Sequence, residues 1–184
     1  TQATYANGVS NNIGWDYASG MPAFADFDND GDIDVALFRR QSDTTFTIDT
    51  LESGFIEKYS SSADTVTGTG YRDHIIALDG NDNVSALAGN DLVYGNKGND
   101  NLYGNQGEDV VFGGQGVDML FGGQGQDQVY GNKEDDVIYG NKQNDDLFGG
   151  QGTDNMFGGQ GEDNLYGNKG DDFLYGNRGY DVIN

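Results

Sequence analysis

The sequence predicts an all-β solenoid, and three observations predict it. An aspartate recurs at every ninth residue, an aliphatic residue follows it at a fixed distance of two, and the composition is too acidic and too poor in apolar residues for an ordinary packed core. With Tyr59 in first place, residues 59–184 divide into 14 nonapeptides without insertion or deletion. The sixth position is always aspartate: Asp64, Asp73, Asp82, Asp91, Asp100, Asp109, Asp118, Asp127, Asp136, Asp145, Asp154, Asp163, Asp172 and Asp181. The eighth is always aliphatic or Met, from Val66 and Ile75 to Leu174 and Ile183.

A single aliphatic residue flanked by outward-facing neighbours makes a strand of about three residues, too short to persist unless successive turns stack on it. Two nonapeptides per turn would place a loop at each edge and bring each aspartate beside the one two units later. Glycine supplies the loops. From Gly95 onward every unit opens with Gly, and position four is Gly except at Glu134 and Gln143. Gly at positions one and four, with Gly or Asn at position two, is expected to let the backbone adopt left-handed conformations there. The four leading units, 59–94, depart from the glycine pattern but keep the aspartate and the aliphatic residue, so the coil is expected to continue through them.

Charge decides what else the coil needs. The chain has 31 acidic residues against nine Lys and Arg, a formal net charge of -22, with 35% hydrophobic residues, 31 Gly and one Pro. A chain of that kind ordinarily stays disordered. Stacked carboxylates repel each other unless cations lie between them, and the same charge excludes nucleic acid as a partner, because phosphates would be repelled. No run approaches 18 apolar residues, so no membrane-spanning helix is expected. There is no cysteine, which removes disulfides and thiolate metal sites. The chain opens on Thr1 without a charged and apolar leader, and a processed or partial chain is expected.

Units such as "GGQGVDMLF", "GGQGEDNLY" and "GNKGNDNLY" resemble the RTX, or haemolysin-type, calcium-binding nonapeptide repeat family, and the resemblance covers residues 59–184, regular over 95–184 and degenerate over 59–94. It implies a right-handed parallel β-roll with many calcium ions between successive loops, held by position-six carboxylates and by backbone carbonyls at glycine positions. Calcium favours such hard oxygen ligands on short flexible loops. The implied ligands are Asp82, Asp91, Asp100, Asp109, Asp118, Asp127, Asp136, Asp145, Asp154, Asp163, Asp172 and Asp181; sites at Asp64 and Asp73 are not expected. The family also implies export by a type I-like route, to the extracellular space or a bacterial cell surface, where weak calcium sites fill.

Residues 1–58 lie outside the period and contain the only Trp, Trp15, and the only Pro, Pro22. Here "ADFDNDGDIDVALF" places Asp26, Asp28, Asp30, Gly31 and Asp34 in the spacing D-x-D-x-D-G-x-x-D, so that alternate carboxylates converge on one cation. An EF-hand would need an acid at the twelfth position, which is Leu37. The stretch 24–49 instead resembles a single FG-GAP or VCBS-type calcium-loop unit. One such unit cannot close a propeller, and a small β-hairpin capping the roll is expected.

Position nine is aromatic in ten consecutive units, from Tyr94 to Tyr175, which predicts two columns of five on the two outer faces. Exposed aromatic columns point to contact with something. Three roles fit: a surface fibre, sheath or S-layer component that self-associates through aromatic faces or roll ends; the export and folding module of a secreted enzyme or toxin; and an adhesin that binds cell-surface polysaccharide. The first is preferred. Catalysis by this chain is not expected, since the single histidine, His74, occupies an outward repeat position and the acids belong to the loops.

Overall fold

The computed structural model describes residues 60–184 in full and, before them, five short strands by backbone alone: β1 (Pro22–Ala25), β2 (Asp34–Leu37), β3 (Arg40–Ser42), β4 (Thr45–Phe46) and β5 (Ile56–Lys58). β1 pairs antiparallel with β2, and β3 with β4. The expected calcium-loop residues Asp26, Asp28 and Asp30 lie outside the described residues, as does most of the expected cap; Asp34 is the first residue of β2.

The repeat region contributes one strand per nonapeptide: β6 (Thr65–Thr67), β7 (His74–Asp79), β8 (Asn83–Ser85), β9 (Leu92–Lys97), β10 (Asn101–Gln106), β11 (Val110–Gln115), β12 (Met119–Gln124), β13 (Gln128–Lys133), β14 (Val137–Lys142), β15 (Asp146–Gln151), β16 (Asn155–Gln160), β17 (Asn164–Lys169), β18 (Phe173–Arg178) and β19 (Val182–Ile183). Alternate strands enter alternate sheets. Even-numbered strands from β6 to β18 form one seven-stranded sheet, and odd-numbered strands from β5 to β19 form an eight-stranded sheet. Pairing within both is parallel, with partners 18 residues apart, as in Leu102↔Leu120↔Ile138. Two nonapeptides therefore complete one turn, and the described residues contain no helix.

The core is a row of single side chains. Leu102, Leu120, Ile138 and Met156 from one sheet meet Val93, Val111, Val129, Leu147 and Leu165 from the other, all fully buried. Each contributes about 1.5–3 kcal/mol by leaving water. Position one, two residues further along the strand, is also buried, and glycine there keeps the two sheets close.

Strands are longer than the sequence pattern predicts. A typical one runs six residues, from position seven of one unit to position three of the next, as in Leu92–Lys97. The ladder passes over position one and resumes at position two, as in Tyr103↔Phe121 followed by Asn105↔Gly123. Position two is left-handed, with φ of 78° at Asn96 and 117° at Gly114, so positions two and three both reach the outer face. Position one is not left-handed, contrary to the expectation. Glycine there leaves room beside the position-six carboxylate.

Replacing Leu120 by Ala would leave a void that its single-file neighbours cannot fill, at a cost of about 2–5 kcal/mol. Urea unfolding in saturating calcium is expected to show this as a lowered midpoint with an unchanged slope.

Candidate metal centre

The two strips of aspartate occupy the two edges of the solenoid, one per sheet-to-sheet loop. From Asp64 to Asp163 every position-six aspartate is at most 3% exposed, while Asp172 and Asp181 are half-buried. Burying so many carboxylates requires partners, and from Asp82 onward each obtains one by the same bond. Oδ1 accepts the backbone N–H of the aspartate one turn earlier, as in Asp91 N–H to Asp109 Oδ1 at 2.8 Å and Asp109 N–H to Asp127 Oδ1 at 2.9 Å. The bond repeats along both edges, from Asp64 N–H to Asp82 Oδ1 at 2.7 Å to Asp163 N–H to Asp181 Oδ1 at 3.1 Å. Aspartate has the reach for it, and the side chain thereby stands in the main-chain ladder between turns. The aspartate carbonyl continues that ladder by accepting the next turn's position-seven N–H, as in Val110 N–H to Asp91 O at 2.8 Å.

The second oxygen is left over. Oδ2 of Asp82, Asp91, Asp100, Asp109, Asp118, Asp127, Asp136, Asp145, Asp154 and Asp163 is buried and has no hydrogen-bond partner. One such orphan in a protein calls for an explanation, and ten in register call for a common one. Their surroundings supply it. A Cβ built on Gly104 would lie 2.5 Å from Asp109 Oδ2 and 2.7 Å from the carbonyl oxygen of Gly122, one turn on. The crowding by Oδ2 recurs at every position-one glycine from Gly95 to Gly176, and the carbonyl joins it at six of the ten, for instance with Gly131 against Gly149 O at 2.6 Å. From Gly95 onward position one is thus glycine where a carboxylate oxygen, joined at most units by a main-chain carbonyl, crowds the place of a Cβ, whereas two leading units hold Ala77 and Ala86 there.

That donor set fits calcium: hard oxygen atoms only, one carboxylate oxygen with backbone carbonyls, on loops whose glycines let the main chain close in. No group of three or more His, Cys, Asp or Glu side chains converges among the described residues. The carbonyls therefore have to complete each site, as the sequence resemblance implies. Bound calcium supplies positive charge that the stacked carboxylates lack.

The first two units differ in a way that matches their sequences. Asp73 has no orphan oxygen, because Thr69 donates its N–H to Oδ2 at 2.6 Å and its hydroxyl reaches Oδ1 at 3.0 Å. Ser60 donates its N–H and hydroxyl to Asp64 Oδ2, at 2.9 and 2.8 Å, and leaves Asp64 Oδ1 as the orphan there. Position-two hydroxyls thus satisfy both oxygens of Asp73 and one oxygen of Asp64. The two position-four departures keep the left-handed backbone, with φ of 69° at Glu134 and 72° at Gln143. Glu134 Oε2 accepts the Gly116 N–H at 2.9 Å, a donor that at the regular loops reaches a carbonyl one turn on, as in Gly98 N–H to Gln115 O at 2.8 Å.

Without metal these carboxylates resist ionisation. Burial is the chief cause, opposed by the N–H each accepts, and it raises Asp82, Asp100, Asp109 and Asp118 to about 6. Asp91 and Asp127 reach about 7, and Asp136 and Asp145 about 8, with neighbouring carboxylates on adjacent turns adding repulsion. An unfolded aspartate titrates near 3.9. Protonation therefore favours the metal-free roll fully below about pH 4, and that contribution is lost as pH rises through 6 to 8. His74 is half-buried, 5.7 Å from the Tyr94 ring, and burial with Arg72 nearby lowers its pKa.

Two outcomes follow from this geometry. In chelator, acidification from pH 8 to 4 is expected to increase β-structure by circular dichroism, whereas in calcium the same change is expected to raise the calcium midpoint, since protons and metal compete for Oδ2. Asp109→Asn retains an oxygen for the Asp91 N–H and removes the charge. It is expected to lower the number of bound ions measured by equilibrium dialysis while leaving the calcium-loaded spectrum unchanged.

The family model for the RTX calcium-binding nonapeptide repeat, which spans four copies, matches residues 60–93, 85–120, 94–129, 121–156 and 148–183. No individual curated protein is found to match the chain. The calcium-loop resemblance of residues 24–49 lies outside the matched segments.

Proposed function

The chain belongs to the RTX calcium-binding nonapeptide repeat family, and on that footing we propose that it is an extracellular structural protein, a component of a bacterial surface layer, sheath or fibre that folds when it meets calcium outside the cell. The observation that carries this reading is the pair of carboxylate strips with an unpartnered oxygen at each turn. Ten buried carboxylates that must either stay charged without a partner or take up a proton make the metal-free roll unfavourable at neutral pH, so folding and binding of multiple ions become one event. Cytosolic calcium is too low for such loops, and extracellular modules bind at about 0.1–1 mM. The chain would thus stay extended inside the cell, as suits the type I route typical of RTX proteins, and fold on release.

A non-catalytic role agrees with the use of the ionisable groups. The position-six acids are committed to the loops, and His74 packs against Tyr94 at the head of an aromatic column. A regular rod with two uninterrupted faces suits a repeating scaffold better than a reaction centre.

The test is circular dichroism of the full chain in EDTA and in calcium. The expected result is a largely unordered spectrum in chelator and a cooperative transition to β-structure at millimolar calcium. A stable β spectrum in EDTA at neutral pH would sink the proposal.

A further inference from the structure

The outer faces carry a repeated surface feature that calcium binding does not use. Across each strand the aromatic residue at position nine, the residue at position two and the residue at position three are accessible, with position one buried between them. Along the roll the aromatic residues stack. Tyr94, Phe112, Tyr130, Phe148 and Tyr166 form one column and Tyr103, Phe121, Tyr139, Phe157 and Tyr175 the other, with centroids 4.6–5.1 Å apart and planes within 2–13° of parallel. The rings cover each other's faces and offer edges to solvent, so each column is an apolar wall.

Beside the wall, position two alternates between Asn and Gly. On one face Asn105, Gly123, Asn141, Gly159 and Asn177 follow each other in register; on the other, Asn132, Gly150 and Asn168 do. Each glycine leaves a notch between two amides. Three cavities of about 470, 480 and 340 Å³ are copies of this one site. The first is formed by Tyr139, Phe157, Asn141, Asn177, Gln160 and Arg178. The second has Tyr130, Phe148, Asn132, Asn168, Gln151 and Lys169 in the same places. The third has Tyr103, Phe121, Asn105, Asn141, Gln124 and Lys142.

Every notch ends in a cation, and that is where the positive charge of the regular repeats is gathered. All five Lys and Arg of residues 95–184 stand at position three: Lys97, Lys133, Lys142, Lys169 and Arg178. Lys97 pairs with Asp79 at 3.1 Å, and the other four have no ion-pair partner among the described residues. Glutamine occupies the turns between cations, as in Lys142↔Gln160↔Arg178, so cations recur at every second strand over β9–β17 on one face and β14–β18 on the other, about 9.6 Å apart at the usual strand spacing, with Gln106 and Gln124 preceding Lys142. The position-six acids lie on the loop edges and not on these faces.

We propose that the faces of the calcium-loaded roll bind an acidic polysaccharide, with one carboxylate-bearing sugar residue in each notch. Two amides and a glutamine satisfy ring hydroxyls, the aromatic edge covers the apolar side of the sugar, and the Lys or Arg meets the carboxylate. A charge on alternate residues of the polymer matches a cation on alternate strands. This rests on the roll being folded by calcium and holds whether or not the protein also serves as a scaffold.

The test is titration calorimetry of the full chain in calcium with a short uronate oligomer, too short to gel with the metal, against an uncharged hexose oligomer of the same length. The variant is Lys133→Gln, Lys142→Gln, Lys169→Gln and Arg178→Gln combined. Glutamine already fills this position on neighbouring turns, so the calcium-loaded circular dichroism spectrum is expected to be unchanged. Binding of the uronate oligomer is expected to weaken by at least about tenfold in the variant, the loss of a charge-assisted hydrogen bond per notch, and the neutral oligomer to bind no better than the variant does. A folded chain that ignores the uronate oligomer overturns the inference. So does equal binding by the variant, which would assign the carboxylates to calcium at the loop edges. Dimers in sedimentation velocity that the four substitutions dissociate would overturn it in favour of a second copy on the face. A chain that stays unordered in calcium would overturn instead the reading on which all of this stands.

Discussion

One carboxylate per nonapeptide joins each turn to the next, and the rest of the roll depends on that contact. An aspartate side chain is short enough to reach the N–H of its counterpart one turn back and rigid enough to repeat the bond at every turn. This uses one oxygen and buries both, so the bond that aligns the turns also creates an electrostatic debt. Raised pKa values along both edges are its signature, largest at Asp136 and Asp145, where acidic neighbours on adjacent turns crowd the same strip. The fold has two remedies for an orphan oxygen. Near the start of the coil, Ser60 and Thr69 place hydroxyls on the Oδ2 of Asp64 and Asp73; from Gly95 onward a position-one glycine stands against Oδ2 without a Cβ, and a bound cation would supply the missing partner.

Glycine consequently plays two different parts within one repeat. At position two the backbone is left-handed, and Asn serves as well as Gly because its side chain tolerates that region. At position one the backbone is ordinary, and what matters is the missing Cβ. At position four the conformation is again left-handed, and Glu134 and Gln143 accept it. Position one is not closed to a Cβ, since Ala77 and Ala86 occupy it in two leading units and are buried in the core. The chain begins every unit from Gly95 onward with Gly and relaxes the other two positions.

The outer faces show how a repeat produces extended order from weak parts. A Tyr–Phe contact at the strand spacing is a modest interaction, but a column of five has every inner ring covered on both sides. The Tyr-Gly-Asn and Phe-Gly-Gly alternation accompanies a 36-residue superperiod that duplication explains adequately. In the fold that alternation also becomes a row of notches two turns apart.

The sequence by itself determined the period, two units per turn, the parallel solenoid, the single-file core and the edge position of the aspartates. Each of these follows from regular spacing, and regular spacing is what a linear sequence displays. It also singled out the aromatic columns, because residues 18 apart must stack once the turn is known. Only the tertiary structure decided how long the strands are, since pairing past position one depends on the neighbouring turn and not on the residue. The same holds for β5, whose Ile56–Lys58 joins the eight-stranded sheet although Phe55 and Glu57 stand where the repeat would have aspartate and an aliphatic residue. Tertiary structure also decided which carboxylate oxygen is left without a partner, because that is settled by a backbone N–H 18 residues away, in a place no local motif can indicate.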